Sequence, residues 1–368
     1  MTDGPRVRLA VRRCAVLALA GVASTVWAQE TAAGGQATTR RYVYVVRPAA
    51  EEIVVDGELK PDEWQFAAPV AGFRALVGGH FVRNQTLIRM LYDWEALYIG
   101  ITCYEDSIEK LLVAGQDGDA KLLDGDCAEW WLGVGPDPKR IVRMVVNPSG
   151  AKSADVGAGA PWGKDWAVAA KRSKAAWSIE VKVPFASLGV ETPALFDLWR
   201  FNLVRHRRAG LQTPEMTTWA ELAPEAPGCD FGRIMFSQQP LPDGASPLDG
   251  LNAKTGGPSR VYGDLGYVDV DTTNMLYRYS DLLGAVLRDK MPAGGKLAAL
   301  GPAFEQQPDH PQAAKYYRTV RQWDGLVRDV QAAQSGNGVS ALAWVWGTLD
   351  VLEMSGSIDE LYRSVAVP

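Results

Sequence analysis

Apolar and polar residues alternate along most of the first 236 positions, which is the pattern of strands that bury one face. Short strands bounded by turn residues are typical of a sandwich, so we predict a mainly β fold, an antiparallel, jelly-roll-like β-sandwich over 42–236. Helical pattern in this part is limited to short turns near 60–65 and 185–188. The predicted strands are 42–46, 53–55, 87–92, 97–104, 126–134, 141–147, 166–171, 177–183, 199–206, 217–220 and 232–236.

The pattern changes after residue 236. Residues 237–271 are rich in Pro, Gly, Ser and Asp, which predicts a linker or irregular packing. Apolar residues then recur every three or four positions, so we predict a helical C-terminal region over 272–368. Within it we expect a first helix that Gly294 and Gly295 interrupt, a second over 313–333, a third over 340–354 and a short piece over 358–365.

The N-terminus has the composition of a secretory signal peptide. Four arginines precede or flank a short apolar run at 14–22, and Val26 and Ala28 are small residues suited to cleavage after Ala28. Residues 29–41 then form a flexible leader rich in Ala, Gly, Thr and Gln. The apolar run is too short to span a bilayer. We therefore predict a secreted or periplasmic protein.

Charge and cysteine content narrow the choice of partners. The formal net charge of the chain is −5, and removal of residues 1–28, with four arginines and one aspartate, makes it −8. An acidic chain argues against nucleic acids and anionic membranes as partners. Removal would leave Cys103, Cys127 and Cys229, so at most one disulfide can form within the chain. Their spacing matches no zinc site, and we expect the strands that carry Cys103 and Cys127 to be neighbours.

The segment 124–135 carries the first candidate chemistry. Alternation places Ala128, Trp130 and Leu132 on the core face, and Glu129 and Trp131 on the other face together with Cys127. A carboxylate beside an aromatic ring suits a sugar, because the ring stacks on the C–H face and the carboxylate accepts hydroxyl hydrogen bonds. A solvated Glu and a second core Trp are an equally ordinary interpretation.

Several short motifs, taken in order, resemble the family 9 carbohydrate-binding modules. They are Val-Asp-Gly at 55–57, Glu-Trp at 63–64, Leu-Tyr-Ile-Gly at 97–100, Asp-Gly-Asp-Cys-Ala-Glu at 124–129, Trp-Ser-Ile-Glu-Val-Lys-Val-Pro-Phe at 177–185, Trp-Arg-Phe-Asn at 199–202, Thr-Trp at 218–219 and Phe-Gly at 231–232. The resemblance covers residues 50–236 and implies a jelly-roll-like sandwich with a sugar cleft on one sheet.

The resemblance also implies roles for individual residues. Glu129 matches a position whose carboxylate binds sugar hydroxyls, and Arg143 matches a sugar-binding arginine. Two Trp side chains clamp the sugar in well-known members; their positions fall near Leu123 and 224–226, and neither is Trp here. We add Trp131, which shares a strand face with Glu129, and Asn202, which can reach the cleft face from its own strand. Trp162 from a Gly-rich loop is the third addition. The predicted binding residues are thus Glu129, Trp131, Arg143, Asn202 and Trp162.

The sequence offers weaker support for haem binding, metal binding or catalysis than for carbohydrate binding. A haem between the sheets is the alternative function, with His206 and either Met90 or Met144 as axial ligands. Calcium at the acidic loop 117–126 is a minor possibility, and we expect no resident cofactor. No nucleophile–base motif is present, so we assign no catalytic residue; Glu129 with Asp126 is the only glycosidase pair that could be proposed. We predict a secreted carbohydrate-binding protein that holds poly- or oligosaccharide for a partner glycoside hydrolase, with weak accessory catalysis as a further alternative.

Overall fold

The computed structural model describes residues 40–134, 141–156, 160–162, 165–220, 231–239, 248–335 and 338–366. The predicted signal peptide and most of the predicted leader lie outside the described residues. The strands are β1 (Arg41–Pro48), β2 (Arg74–Ala75), β3 (Thr86–Tyr92), β4 (Ala96–Tyr104), β5 (Cys127–Gly133), β6 (Ile141–Val146), β7 (Lys152–Val156), β8 (Ala160–Pro161), β9 (Ala167–Arg172), β10 (Ala176–Pro184), β11 (Leu198–Arg207), β12 (Glu215–Thr218), β13 (Gly232–Phe236), β14 (Ser259–Tyr262), β15 (Gly266–Val270) and β16 (Leu276–Arg278). The helices are α1 (Phe185–Leu188), α2 (Leu251–Thr255), α3 (Tyr279–Gln306), α4 (Ala313–Ser335) and α5 (Ala341–Ala366), with 3-10 turns at Ile108–Lys110 and Ala120–Asp124.

Strand β1 joins two groups of strands into one mixed sheet. The hydrogen-bonded order is β8-β7-β6-β5-β11-β13-β1-β3-β4-β10-β9. The mainly β class and the helical C-terminal region are as predicted, but the wholly antiparallel jelly-roll is not what the structure shows, since β1 runs parallel to β3, β13 and β14. Turn signals reveal hairpins between neighbours in sequence. They do not indicate which strands pair with β1, because long connections separate β1 from its partners in sequence and so allow parallel pairing.

The main core lies between the two groups of strands, and both contribute to one hydrophobic cluster. Ala128, Trp130 and Leu132 of β5 are completely buried in it, as their alternation predicts. From the other group, alternate residues of β4 and β10 such as Ile99 and Ile179 meet them. Burial of large apolar side chains at about 25 cal/mol per Å² is the main stabilising contribution to such a core.

A carboxylate fixes the segment that covers the outer face of β4 and β10. Glu180 accepts hydrogen bonds from the backbone N–H groups of Asp56 (2.9 Å) and Gly57 (2.8 Å) and from the indole of Trp64 (2.8 Å). Gly100 on β4 lies under Trp64, where a Cβ would approach its ring to 3.0 Å. The segment predicted as a strand at 53–55 therefore runs over the sheet and is not hydrogen-bonded into it.

The predicted linker contains regular structure. Part of 237–271 forms α2, β14 and β15, and β14 pairs in parallel with β1. Val43 and Val45 of β1 bury their outward faces against Leu251 and Val261 from this segment. The abundant Gly and Pro residues lie in turns between short elements. Pairing with strands that are distant in sequence makes the remaining residues regular.

The C-terminal helices pack on the β-region. The indole of Trp346 donates to the carbonyl of Arg83 (3.0 Å), and its ring lies 5.0 Å from that of Tyr104. Arg83 also forms ion pairs with Asp350 (2.6 Å) and Glu353 (2.8 Å). In the described part of the chain, no helix is both long and apolar enough to cross a bilayer.

Two helix boundaries differ from prediction. α3 continues through Gly294 and Gly295, and the third helix and the short piece after it are one helix, α5. A Cβ at Gly294 would lie 2.7 Å from the indole nitrogen of Trp323 on α4. Glycine there permits close packing of two helices, and tertiary contacts outweigh its low helix propensity.

The cysteines are not arranged as predicted. Cys103 on β4 and Cys127 on β5 are both free and buried, and several strands separate β4 from β5 in the sheet order. The expectation that their strands are neighbours was wrong, because β4 pairs with β3 and β10. Burial raises the pKa of the Cys103 thiol to about 11. Cys229 lies outside the described residues.

Candidate functional site

Four adjacent strands, β7, β6, β5 and β11, bring polar side chains to the face that points away from the core. Arg143 on β6 stands between Trp131 on β5 and Asp155 on β7 in the pairing register. Glu129 lies two residues before Trp131 and therefore on the same face. Directly opposed residues have Cβ atoms about 5 Å apart, so this register alone creates a compact polar cluster.

Glu129 is the centre of the cluster. Its Oε1 accepts from Arg143 Nε at 2.5 Å, and its Oε2 lies 2.6 Å from Nε2 of His206 on β11. Arg143 also donates from Nη1 to Asp155 (3.3 Å). The Glu129 side chain is 7% exposed, whereas that of Arg143 is 31% exposed. The carboxylate thus acts as a buried anchor, and the guanidinium is what a ligand can reach.

The charges of these groups are coupled. Burial raises the pKa of Glu129, but the hydrogen bond from His206 and the charge of Arg143 outweigh this effect and hold the pKa below its ordinary value. Glu129 is therefore ionised at neutral pH. An ionised carboxylate can only accept, so Nε2 of His206 is the donor in this contact, and Glu129 holds both neighbouring side chains in fixed positions.

Trp131 provides the aromatic surface next to Arg143. It is partly buried, and its ring lies 5.6 Å from that of Phe231 at an angle of 40°. Asn202, its neighbour on β11, is completely buried. The Asn202 amide donates to Thr218 and to the carbonyl of Ala220, and its oxygen accepts from the backbone N–H of Ala220. From its buried position, Asn202 therefore holds the backbone that follows β12.

Trp162 is not brought to this cluster. It packs on the hydrophobic core and lines a cavity of about 290 Å³ together with Val142, Val156 and residues 186–189. Val142 and Val156 alternate with Arg143 and Asp155, so this cavity lies on the opposite side of β6 and β7. Of the five predicted binding residues, the structure groups Glu129, Trp131 and Arg143.

The 3-10 turn Ala120–Asp124 covers the neighbouring part of the same face. Leu122 is buried against Cys127 and Val145, and Leu123 follows it. Leu123, where the sequence resemblance implied a clamping Trp, therefore flanks the cluster. Residues 224–226, the second clamp position, lie outside the described residues, in the stretch between β12 and Phe231.

The remaining charged residues near His206 have structural roles. Glu105, completely buried, binds Arg205 (2.9 Å) and both sides of the Arg207 guanidinium (2.8 Å each). Asp126 is also completely buried and accepts backbone hydrogen bonds from Leu112, Arg208 and Ala209. Asp126 therefore does not share an accessible site with Glu129, as a glycosidase pair would require.

The predicted haem ligands do not face each other. His206 is on the outer face, held by Glu129, whereas Met90 and Met144 are completely buried in the core. A haem could not take His206 and either methionine as its two axial ligands. In the acidic loop, Asp117 and Asp119 accept backbone hydrogen bonds. Across the described ranges no group of three or more His, Cys, Asp or Glu residues could hold a metal ion.

The sequence could have identified two further members of the cluster. Asp155 alternates with Ala154 and Val156, which is a strand pattern within the stretch 152–156. His206 lies four residues after Asn202 within the predicted strand 199–206, so the two side chains share a face. The hydrogen bond between Glu129 and His206 follows only from the pairing of β5 with β11.

Comparisons with known proteins give only structural likenesses. No family model matches the chain, and no curated protein matches it. Two matching structures are a family 9 carbohydrate-binding module from Caldicellulosiruptor kristjanssonii, one in complex with cellotriose and one with glucose; each covers 56% of this chain and 98–100% of the module, with a TM-score of 0.40. A third is a Bacteroides uniformis protein provisionally described as carbohydrate-binding, covering 54% of this chain and all of its own, with a TM-score of 0.42. All three are 14% identical to this chain, and at these TM-scores the likeness supports no functional conclusion. Family 9 is the family that the sequence motifs resemble.

Proposed function

We propose that the outer face of β5, β6, β7 and β11 binds carbohydrate. The observation that carries this proposal is the partly exposed guanidinium of Arg143, which Glu129 and Asp155 hold on a residue directly opposite Trp131 in the strand register. Arg donates from a rigid, planar group, which suits the fixed hydroxyl and ring oxygens of a sugar. The Trp ring supplies the apolar surface on which a sugar C–H face stacks.

Each residue has a defined role in this proposal. Arg143 donates to the sugar, and its Nη2, to which the described residues offer no acceptor, points to this role. Asp155, 22% exposed, accepts a hydroxyl hydrogen bond. Glu129 positions Arg143 and His206. Because its side chain is only 7% exposed, sugar hydroxyls have little access to the carboxylate. Affinity is expected to be weak because Leu123 replaces one clamping ring.

Calorimetry with a panel of neutral oligosaccharides tests the proposal. We expect Arg143→Ala to weaken binding of any ligand by about tenfold or more, since a charge-assisted hydrogen bond is worth about 1.5–3 kcal/mol. Lys171→Ala is the matched control, because Lys171 forms an exposed ion pair with Glu58 elsewhere on the β-region. Equal binding by wild type and Arg143→Ala, or no binding of any glycan by wild type, would refute the site.

We further propose that the protein is exported and acts together with a partner enzyme. A basic segment and a short apolar run before Ala28 support export, with residues 1–28 removed. A binding protein without a nucleophile–base motif suits a role in holding polysaccharide for a partner glycoside hydrolase. Mass spectrometry of the exported protein tests the first point, and an intact Met1 would refute it.

A further inference from the structure

Trp94 is an unusual surface residue. It lies at the turn between β3 and β4 and is 76% exposed. A Trp side chain offers 150–250 Å² of mostly apolar surface, which folding normally removes from water. Single exposed apolar residues are common, so exposure by itself does not define a site; the surroundings of this ring do.

Hydrogen bonds fix the backbone of the turn that carries the ring. Asp93 accepts hydrogen bonds from the backbone N–H groups of Glu95 and Ala96, both at 2.7 Å, and from the hydroxyl of Tyr98 at 2.8 Å. From the other side, the hydroxyl of Thr192 donates to the Trp94 carbonyl at 2.6 Å. The backbone is fixed on both flanks, so binding of a ligand to the ring does not require the turn itself to become ordered.

A pair of charged side chains includes the residue after Trp94. Glu95 follows Trp94 directly, and its carboxylate, about half exposed, has a long contact with Lys182 (3.4 Å). The turn and the strand opposite it thus offer an exposed aromatic ring, a hydroxyl acceptor and a hydroxyl donor, which are the groups that suit a sugar. With Asp93, the immediate surroundings carry a net negative charge, which disfavours anionic polymers and anionic membranes.

The turn belongs to a different part of the sheet from the Arg143 cluster. β5, β11, β13 and β1 separate β6 from β3 in the strand order. The cluster lies on an outer face, whereas Trp94 lies at the end of a hairpin. The two surfaces are therefore distinct.

We infer that Trp94, with Glu95 and Lys182, forms a second carbohydrate contact that stacks on the flat face of a neutral, insoluble polysaccharide. This inference rests on the proposed carbohydrate-binding function. The Arg143 cluster binds a single chain or its end, and Trp94 adds a contact with the polymer surface. Two linked contacts raise the overall affinity for a polymer without raising the affinity for a short oligosaccharide.

Depletion isotherms on microcrystalline cellulose, insoluble xylan and chitin test this inference, with calorimetry on soluble oligosaccharides in parallel. Trp94→Ala should weaken adsorption to the polymer by about fivefold or more, the low end for one stacking ring. It should leave oligosaccharide binding and the thermal midpoint unchanged, since the ring is exposed. Trp94→Phe should retain part of the adsorption. Val77→Ala, at another exposed apolar turn residue, should change nothing.

The outcomes separate the two proposals. If Trp94→Ala adsorbs like wild type, or wild type adsorbs to no polymer while still binding oligosaccharide, the Trp94 inference is wrong and the Arg143 site stands. If Arg143→Ala binds oligosaccharide normally but Trp94→Ala loses adsorption, the Arg143 site is wrong and the inference stands. Binding to phosphatidylcholine vesicles that Trp94→Ala abolishes would overturn the inference in favour of a membrane.

Discussion

The ion pair between Glu129 and Arg143 can be measured by a double-mutant cycle. The variants are Glu129→Ala, Arg143→Ala and the pair together, each compared with wild type by urea denaturation followed by Trp fluorescence. The Glu129 carboxylate lies 2.5 Å from Arg143 and 2.6 Å from His206. The cycle isolates the contact with Arg143, because each single variant removes that contact and the double variant cancels the effects that each residue has elsewhere.

The structure sets the expected magnitude. Exposed ion pairs contribute about 0–1 kcal/mol, whereas breaking a buried pair by removing one partner costs about 3–5 kcal/mol. Here the carboxylate is nearly buried and the guanidinium is partly exposed, so the pair falls between these limits. We expect Glu129→Ala to lower the free energy of unfolding by about 2 kcal/mol and the coupling energy with Arg143 to be about 1 kcal/mol.

Glu129→Gln refines the result. The amide oxygen can still accept from Arg143, and the amide NH₂ can donate to a neutral His206 that shifts its proton to Nδ1. We expect a smaller loss of stability than for Glu129→Ala. If the two alanine variants are additive within about 0.3–0.5 kcal/mol, or if Glu129→Gln costs as much as Glu129→Ala, the anchoring role of this carboxylate is refuted.

Three further predictions concern pH, the buried charges and the helices. The pKa of Glu129 is lowered in the folded state. Its contribution to stability should therefore be complete above the ordinary pKa of a Glu, about 4.3, and should be lost as pH falls through the lower folded-state pKa. A coupling energy that declines between pH 7 and 5 would contradict this prediction. Glu105→Ala should lower the free energy of unfolding by about 3–5 kcal/mol, because two arginines lose their buried partner; a loss below about 1 kcal/mol in denaturant titration would show that the pair is solvated. Gly295→Ala, with open space around the new Cβ, should stabilise by about 0.5–1 kcal/mol, whereas Gly294→Ala should destabilise by about 1–3 kcal/mol through its clash with Trp323; thermal melts of the two variants should therefore shift in opposite directions.

The sequence determined the local features of this protein. Alternation in 126–134 placed Trp130 in the core and Glu129 and Trp131 on the outer face, because the side-chain direction in a strand has a period of two. The helical period after residue 272 identified the long helices, but the first of them begins at Tyr279, because Leu276–Arg278 pair with β15 as β16. Both patterns depend on residues near one another in the chain, so they could be recognised without a structure.

Only the tertiary structure decided which surfaces meet. The parallel partners of β1 and the meeting of Glu129 with His206 join residues far apart in sequence, and no local period encodes such a pairing. For the same reason the sequence could not place Trp162 on the core side of β6 or show that Asn202 is enclosed by Thr218 and Ala220. Which face a residue occupies is a property of its own strand, but what lies opposite that face is a property of the whole chain.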